Sequence, residues 1–444
     1  MIKSLKFNAI DMARTMNGTL VGNNAFVNAL SIDTREDFCE NTCFFAIDGK
    51  NFDGAGYINE AVNKGAKLIV TQKKISTDVP VIYVENTVKA LGLLAKANKG
   101  KTKIIGVTGS VGKTTVKGFI SSVLREKYSV ASTYKNYNNE IGVPLTLLSL
   151  KGEDFCVVEM GMRGMGQIDY LASISQPEVA VITNCGSAHI GILESQKNIF
   201  SAKTEILSHT SRLAVLPSEK KFKRLKSVGL DYKFVGKKGD IIPENIRYEN
   251  GKTVFDLKSI KSIKMDSLYM HNAYNSAFAY AVGSFYGLED FEIKMGIEKY
   301  ATEQSRGRIM SIGRITLIDD TYNASYESME GTIKSLKQYC VSVHKRPAVM
   351  LGDMCEQGER APELHRRIGR LCKRLGIEKF ITFGEESKYY LDGLKNGTMV
   401  DSLKKAAEII MKEINEEYIL LIKASRAMGF EKIIEWMKEE NDKR

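Results

Sequence analysis

The stretch "IIGVTGSVGKTTVKGFI", from Ile104 to Ile120, sets the frame for the whole chain. It passes from an apolar run through a glycine-rich turn, Thr108 to Gly112, into Lys113 and a helical pattern. Glycines let the backbone curl so that successive N–H groups point at an anion. A helix N-terminus adds partial positive charge at the same place. Lys113 suits the terminal phosphates of a nucleotide, and the Thr114 hydroxyl suits Mg²⁺. The strict G-x-x-x-x-G-K-[ST] spacing requires glycine at 107, but Val107 stands there, read as the last strand residue before the turn. Gly109, Ser110, Gly112, Lys113, Thr114 and Thr115 are therefore candidates for binding ATP or GTP. The competing reading is a strand-to-helix turn that holds no ligand.

Outward from the loop, "FCVVEMG", "VAVITN" and "LAVLP" are short Val- and Ile-rich runs, as expected of parallel strands buried on both faces. Beyond Arg306-Gly307-Arg308, the strands "ITLIDD", "AVMLGD", "KFITFG" and "ILLIKAS" alternate with helical stretches such as "SMEGTIKSLKQYC" and "ELHRRIGRLCKRLG". Before Lys103, "TCFFAI" and "AKLIVT" flank a helix in "YINEAVNKG", and a second helix ends in a polar link at Lys99 to Lys103. The pattern predicts an α/β chain of three domains. Residues 1–102 form a small α/β substrate domain. Residues 103–308 form a central P-loop ATPase-type parallel sheet, and residues 309–444 a C-terminal Rossmann-like α/β domain. In such sheets ligands sit at the carboxyl ends of strands, where these motifs fall.

Composition narrows the class. The 444 residues are 43% hydrophobic and 26% charged, the balance of an ordinary globular protein. No apolar run reaches the roughly 18 to 20 residues of a membrane span. The opening "MIKSLKFNAIDMARTMNG" lacks the apolar core of a signal peptide, so a cytoplasmic protein is expected. Seven scattered cysteines contain no C-x-x-C pair, which predicts free thiols. The net charge of +11 is spread among glutamates with no block of like charges, which argues against nucleic acid; a basic chain also suits small anionic substrates such as nucleotides, and charge alone does not separate the two.

Three further residues invite a metal reading. Glu159 ends the strand "FCVVE", where a carboxylate near phosphates suits Mg²⁺; a solvated turn residue is the alternative. His189 follows the strand "VAVIT", although a lone loop histidine is more often structural. Lys203, in "FSAKTEIL", is read at the start of a helix, and alone is a lysine on a helical face.

Together these residues gain weight. "GVTGSVGKTT", "NYNNEIGVPLTLL", "EMGMRGMGQIDYL", "VITNCGSAHIGIL", "SAKTEIL", "HNAYNSA", "RGRIM", "IDDTYNASYESM", "LGDMCEQGERAPELH" and "IKASRAM" occur in this order. The series resembles the Mur ligase family over nearly the whole chain. Within it, the chain is most similar to the branch that joins D-alanyl-D-alanine to a UDP-N-acetylmuramoyl tripeptide. "SIDTRE" and "CFFAIDGKNFDG" resemble that branch's first domain. The family's loop has the form T-G-[ST]-x-G-K-[ST]-T, so Val107 is expected.

The resemblance implies an ATP-dependent amide ligase working through an acyl phosphate. It implies that Lys113 holds the β- and γ-phosphates, that Thr114 and Glu159 hold one Mg²⁺, and that His189 supports a second. Lys203 matches the lysine that carries a CO₂-derived carbamate, which requires a neutral, desolvated amine. Arg308 matches the arginine that reaches the phosphates from the domain junction. Asn272 and Asn275 match adenine-side contacts, and Asp320 an aspartate near ribose and phosphates. Tyr322, Asn323, Ser425 and the loops at Asp353 and Lys423 to Arg426 match the amine-substrate side. Ser425 and Arg426 have a second reading, as caps of the following helix. Asp33, Thr34 and Arg35 match the UDP end, with a surface ion pair as the other reading of Arg35. Asn138 and Asn139 match the muramoyl-peptide channel. A monomer is expected, closing over its substrates about a hinge so that Arg308 and Asp320 meet the loop.

Ala55 replaces a common histidine, Tyr269 a common glycine, and Ser325-Tyr326 a common Asn-Pro. These departures leave open a Mur-type amide ligase for another acid or amine. A P-loop ATPase that switches a partner is a third reading, but it leaves the first domain, the third α/β unit and the His189–Lys203 pair without a purpose.

Overall fold

The fold is taken from a computed structural model that describes residues 1–49, 52–186, 190–225, 229–301, 305–394 and 397–442. Its centre is a six-stranded sheet in the order Val130–Ser132, Phe155–Glu159, Lys103–Thr108, Val179–Ile182, Leu213–Pro217, Asp231–Val235. Every neighbouring pair is parallel. Its four inner strands are Val-, Ile- and Leu-rich and almost wholly buried, as a sheet covered on both faces requires. The loop strand Lys103–Thr108 lies between Phe155–Glu159 and Val179–Ile182. The chain moves off to one side of it and later returns to the other. Such a switch opens a crevice at the strands' carboxyl ends. The strand runs one residue further than expected, because Thr183 N–H donates to the Thr108 carbonyl at 2.9 Å.

The other two α/β units are mixed rather than wholly parallel. The N-terminal sheet runs Ile2–Asn8, Phe26–Ser31, Thr42–Phe45, Leu68–Thr71, Val81–Tyr83, Thr19–Val21, with antiparallel pairs at both edges. The C-terminal sheet runs Arg308–Ile312, Ile315–Asp320, Tyr418–Lys423, Arg346–Gly352, Lys379–Phe383, Thr398–Met399, with its first pair antiparallel. Only Gly313 and Arg314 separate that first pair, and a two-residue link can join only antiparallel strands.

An antiparallel sheet of three strands, Pro243–Glu249, Lys252–Leu257 and Ile260–Met265, has no counterpart in the sequence reading. Its first turn is Asn250-Gly251, both at positive φ, the strongest short hairpin signal. It leads to Leu268 and Tyr269, which are buried in the apolar core of the C-terminal unit. The crevice is thus flanked by both larger units. All seven cysteines are free thiols, five of them buried. Among the described residues, no helix is long and apolar enough to cross a membrane.

Candidate active site

The Gly-Lys-Thr loop is built as a cradle. Gly109 and Gly112 take φ values of 151° and 84°, which side-chain-bearing residues rarely adopt. Helix Lys113–Leu124 starts directly after Gly112. Lys113 Nζ folds back to donate to the Gly109 carbonyl at 2.8 Å and the Ser110 carbonyl at 3.4 Å. The loop is braced from the next strand end. Asn184 accepts from Ser110 N–H at 3.1 Å and, through Oδ1, from Val111 N–H at 3.0 Å. Thr183 Oγ1 donates to the Val111 carbonyl at 2.6 Å.

A cavity of about 1640 Å³ opens above this cradle. Ser110, Gly112, Lys113, Thr114, Thr115, Asn138, Asn139, Glu159 and Lys203 line it from the central unit, as do Asn272 and Asn275. Asp320, Tyr322, Asn323 and Ser425 line it from the C-terminal unit. Gly109 lies behind the loop against Thr183, outside the lining. His189 lies outside the described residues.

Glu159 is buried at the end of its strand, level with the loop through its register partner Val107. Its Oε1 accepts from Asn138 Nδ2 at 2.9 Å, while Oε2 is buried without a hydrogen-bond partner. An orphaned carboxylate oxygen in a cavity that the Thr114 hydroxyl and the phosphate cradle also line is a donor set that fits a divalent cation. Among the described residues no group of three or more His, Cys, Asp or Glu gathers. One carboxylate with a threonine hydroxyl suits Mg²⁺, which is commonly held by one or two carboxylates, water and substrate phosphates.

Lys203 is almost completely buried, in the last turn of helix Gln196–Thr204 and not at a helix start. Its pKa is lowered to about 7, first by burial and then by the charge of Lys113. Burial also lowers Lys113, with Glu159 opposing that shift and Arg306 adding to it. The cavity therefore holds crowded positive charge that an anion would relieve.

On the C-terminal side, Lys423 Nζ donates to Asp320 Oδ2 at 2.7 Å and to the Asn323 carbonyl at 2.8 Å, and the ion pair is buried. Asp319 makes the Asx turn of "DDTYN", accepting from Thr321 N–H at 3.2 Å. Ser425 does not cap a helix; its Oγ accepts from Cys355 N–H at 2.8 Å and donates to the Ala324 carbonyl at 3.3 Å. Asp353 is turned into its own unit, accepting from Ser387 Oγ at 2.6 Å, and does not line the cavity. Arg308 is exposed on its strand, also outside the lining. Arg306, two residues earlier, does line the cavity, with its guanidinium 3.8 Å from the centre of the Tyr322 ring. Sequence reading passed over Arg306 although "RGR" contains both arginines. Tyr269, the residue standing for a glycine, packs on Gly307 and stacks on His271 with ring centres 4.9 Å apart.

A second cavity, of about 710 Å³, lies between the N-terminal and central units. Asp33, Thr34 and Arg35 line it with Tyr57, Tyr134 and Tyr137. Arg35 Nη2 donates to Asp33 Oδ2 at 2.6 Å and holds the Asp33 carboxyl down to about 2.

Residues 107–283 match the model of the Mur ligase middle domain, and residues 306–426 that of the Mur ligase glutamate ligase domain. The chain is 32% identical to the UDP-N-acetylmuramoyl-tripeptide–D-alanyl-D-alanine ligase of Haemophilus influenzae, over 98% of this chain and 99% of that one. The solved MurF ligase of Thermotoga maritima in complex with ADP is 29% identical, with a TM-score of 0.85, over 94% of this chain and 98% of that one. MurF from Acinetobacter baumannii shares the fold at a TM-score of 0.90 and 24% identity, over 98% of this chain and 100% of that one.

Proposed function

The chain belongs to the Mur ligase family, and from that premise we propose that it is the ATP-dependent ligase joining D-alanyl-D-alanine to a UDP-N-acetylmuramoyl tripeptide in peptidoglycan precursor synthesis. One observation supports a two-substrate ligase more than any other. A single cavity is lined by the phosphate cradle and Lys203 from one unit and by Asp320, Lys423 and Tyr322 from another. A simple ATPase needs only the first set.

The reaction has two steps. A carboxylate oxygen of the tripeptide attacks the γ-phosphorus of ATP, forming an acyl phosphate and releasing ADP. The dipeptide amine attacks the acyl carbon, the amide forms, and phosphate leaves. Both steps concentrate negative charge on oxygens, so pre-aligned cations and N–H groups carry the catalysis. Gly112 and the first turn of helix Lys113–Leu124 present N–H groups to the phosphates, Ser110 lines the cradle beside them, and Lys113 neutralises the charge. Thr114 and Glu159 are the residues that would hold Mg²⁺, with Thr115 on the nucleotide; when bound, the ion would offset charge on the β- and γ-phosphates. A second Mg²⁺, with His189 and a carbamate on Lys203, rests on the family resemblance. The lowered pKa of Lys203 supports the carbamate, since only the neutral amine adds to CO₂.

Asn272 and Asn275 take the adenine side, and Asp320, fixed by Lys423, the ribose side. Arg308 reaches the phosphates only by movement of the C-terminal unit. Asn138 and Asn139 line the peptide channel, and Tyr322, Asn323 and Ser425 the amine side. Asp33, Thr34 and Arg35 serve the uridine diphosphate end. The three functional domains are residues 1–102, 103–308 and 309–444, with Arg308 at the second boundary as the first residue of the C-terminal sheet, acting as a monomer in the cytoplasm.

The test is ADP release with UDP-N-acetylmuramoyl tripeptide and Mg-ATP. Release that depends on added D-alanyl-D-alanine supports the assignment. Release stimulated instead by another amine, or supported only by another acid, overturns it in favour of a Mur-type ligase with different substrates.

A further inference from the structure

Strand Arg346–Gly352 runs into the loop "DMCEQGER", Asp353 to Arg360, on the C-terminal side of the larger cavity. Its backbone is tied down along its length. Met354 N–H donates to His365 Nε2 at 3.1 Å, Cys355 N–H to Ser425 Oγ at 2.8 Å, and Arg360 N–H to the Gln357 carbonyl at 3.3 Å. Glu356 and Gly358, on either side of Gln357, are both at positive φ, +62° and +55°. A glutamate in that region is uncommon and persists only where the surroundings hold it. The doubled turn makes Gln357 part of the cavity wall while leaving it only 3% exposed.

An amide buried this deeply ordinarily has both of its ends paired. Gln357 has one. Its Nε2 donates to the Cys355 carbonyl at 3.1 Å, while its Oε1 is buried with no hydrogen-bond partner among the described residues. The two ends cannot be exchanged. A backbone carbonyl only accepts, so the atom facing Cys355 is the NH₂ group and the unpaired atom is the carbonyl oxygen. Leaving that oxygen unpaired is costly, and an apolar side chain of similar size would avoid the cost. The wall therefore offers a neutral acceptor that lacks a donor. Phosphates and carboxylates accept only, so neither the triphosphate nor the acid being activated can supply one. The donors of adenine and ribose fall on the side of Asn272, Asn275 and Asp320. Gln357 instead shares its wall with Cys355, Asn323 and Ser425, the amine side. There the reacting nitrogen must reach the phosphate cradle, whereas the peptide N–H of a dipeptide lies farther along the molecule and takes no part in bond formation. That N–H is neutral, as is the acceptor.

We propose that Gln357 Oε1 accepts a hydrogen bond from the peptide N–H of the incoming dipeptide, so that Gln357 selects an amide over an ester in the amine substrate. The proposal rests on the ligase reading for the identity of that substrate. Gln357 binds and does not react, so its loss raises the KM for the dipeptide more than it lowers kcat.

The experiment compares two amines in steady-state ligation by the full-length protein: D-alanyl-D-alanine and D-alanyl-D-lactic acid, in which an ester oxygen replaces the peptide N–H. The wild type is expected to show a KM about tenfold higher for the ester, because oxygen then faces oxygen. Gln357→Met keeps the volume and removes the carbonyl. It is expected to raise the KM for the dipeptide about tenfold, with kcat within about threefold and the KM for ATP within about twofold of the wild type. The two amines should then differ by less than about threefold in that variant. A merely structural role for Gln357 would raise both KM values together and leave their ratio as in the wild type, and that result overturns the proposal. Equal KM values for the two amines in the wild type also overturn it, whether or not any variant folds. If the wild type ligates neither amine, the ligase reading itself fails and the proposal falls with it; if it ligates both alike, the proposal alone fails.

Discussion

Lys203 shows how burial prepares a residue for chemistry. A lysine with an ordinary pKa near 10.4 is almost fully protonated at neutral pH. Here burial and Lys113 bring the value to about 7, so much of the amine is neutral. The sign follows directly. Below pH 7 the group is charged in both folded and unfolded chains, and its burial costs stability. From pH 7 towards 10.5 only the unfolded chain keeps the proton, so that cost fades as pH rises. Ligation should therefore increase as pH rises through about 7, if carbamylation of Lys203 is required. Lys203→Ala should lose most activity and regain part of it with a small carboxylate such as formate. Full activity of Lys203→Ala would remove the carbamate from the mechanism. Lys423 is a different case, since it and Asp320 form a buried ion pair. Lys423→Met leaves Asp320 buried and uncompensated, a loss of about 3–5 kcal/mol. Denaturant unfolding should show it as a lower midpoint with an unchanged slope.

At the scale of elements, the phosphate loop depends on two glycines for different reasons. Gly112 supplies the positive φ from which helix Lys113–Leu124 starts. Gly109 supplies both a disfavoured φ and space, because an added Cβ would overlap Thr183 Oγ1. Gly109→Ala should cost about 1–3 kcal/mol in stability from the backbone alone. It should also push the loop off Thr183 and Asn184, weakening ATP binding more than its stability loss explains. Titration with ATP well below the unfolding temperature separates the two. Parallel strands and the Gly-Lys-Thr turn were legible in sequence because periodicity and glycine placement are local signals. The antiparallel edges were less so, since strand direction depends on connection length as well as on composition. The Asn250-Gly251 hairpin carried a local signal, but five of the thirteen residues in its two strands are charged, which blurs the alternation of a strand. Arg306 faces the cavity and Arg308 does not, because Ser305 and Gly307 are both at positive φ and turn the chain between them, a backbone path that the spacing of the two arginines does not reveal. Ser425 looked like a helix cap because serine is common there, whereas its hydroxyl is used across the sheet by Cys355 and Ala324.

At the scale of the whole molecule, ligands should act as mortar between units. The larger cavity takes its walls from the central and C-terminal units, and Asn86 and Lys89 of the N-terminal unit reach its edge. The smaller cavity joins the N-terminal and central units. A ligand that binds only the folded state adds about 2.7 kcal/mol at one hundred times its Kd. Whether that stabilisation is shared depends on which units touch the ligand. Mg-ATP should raise the unfolding temperature of the central and C-terminal units together. The N-terminal unit should respond mainly when the UDP-linked peptide is added. Differential scanning calorimetry resolves this if the units melt separately. If they melt as one, proteolysis at the links near residues 100 and 305 reports the same order. Should Mg-ATP protect the central unit alone, the C-terminal residues that line the cavity do not hold nucleotide, and the role given to Asp320 falls.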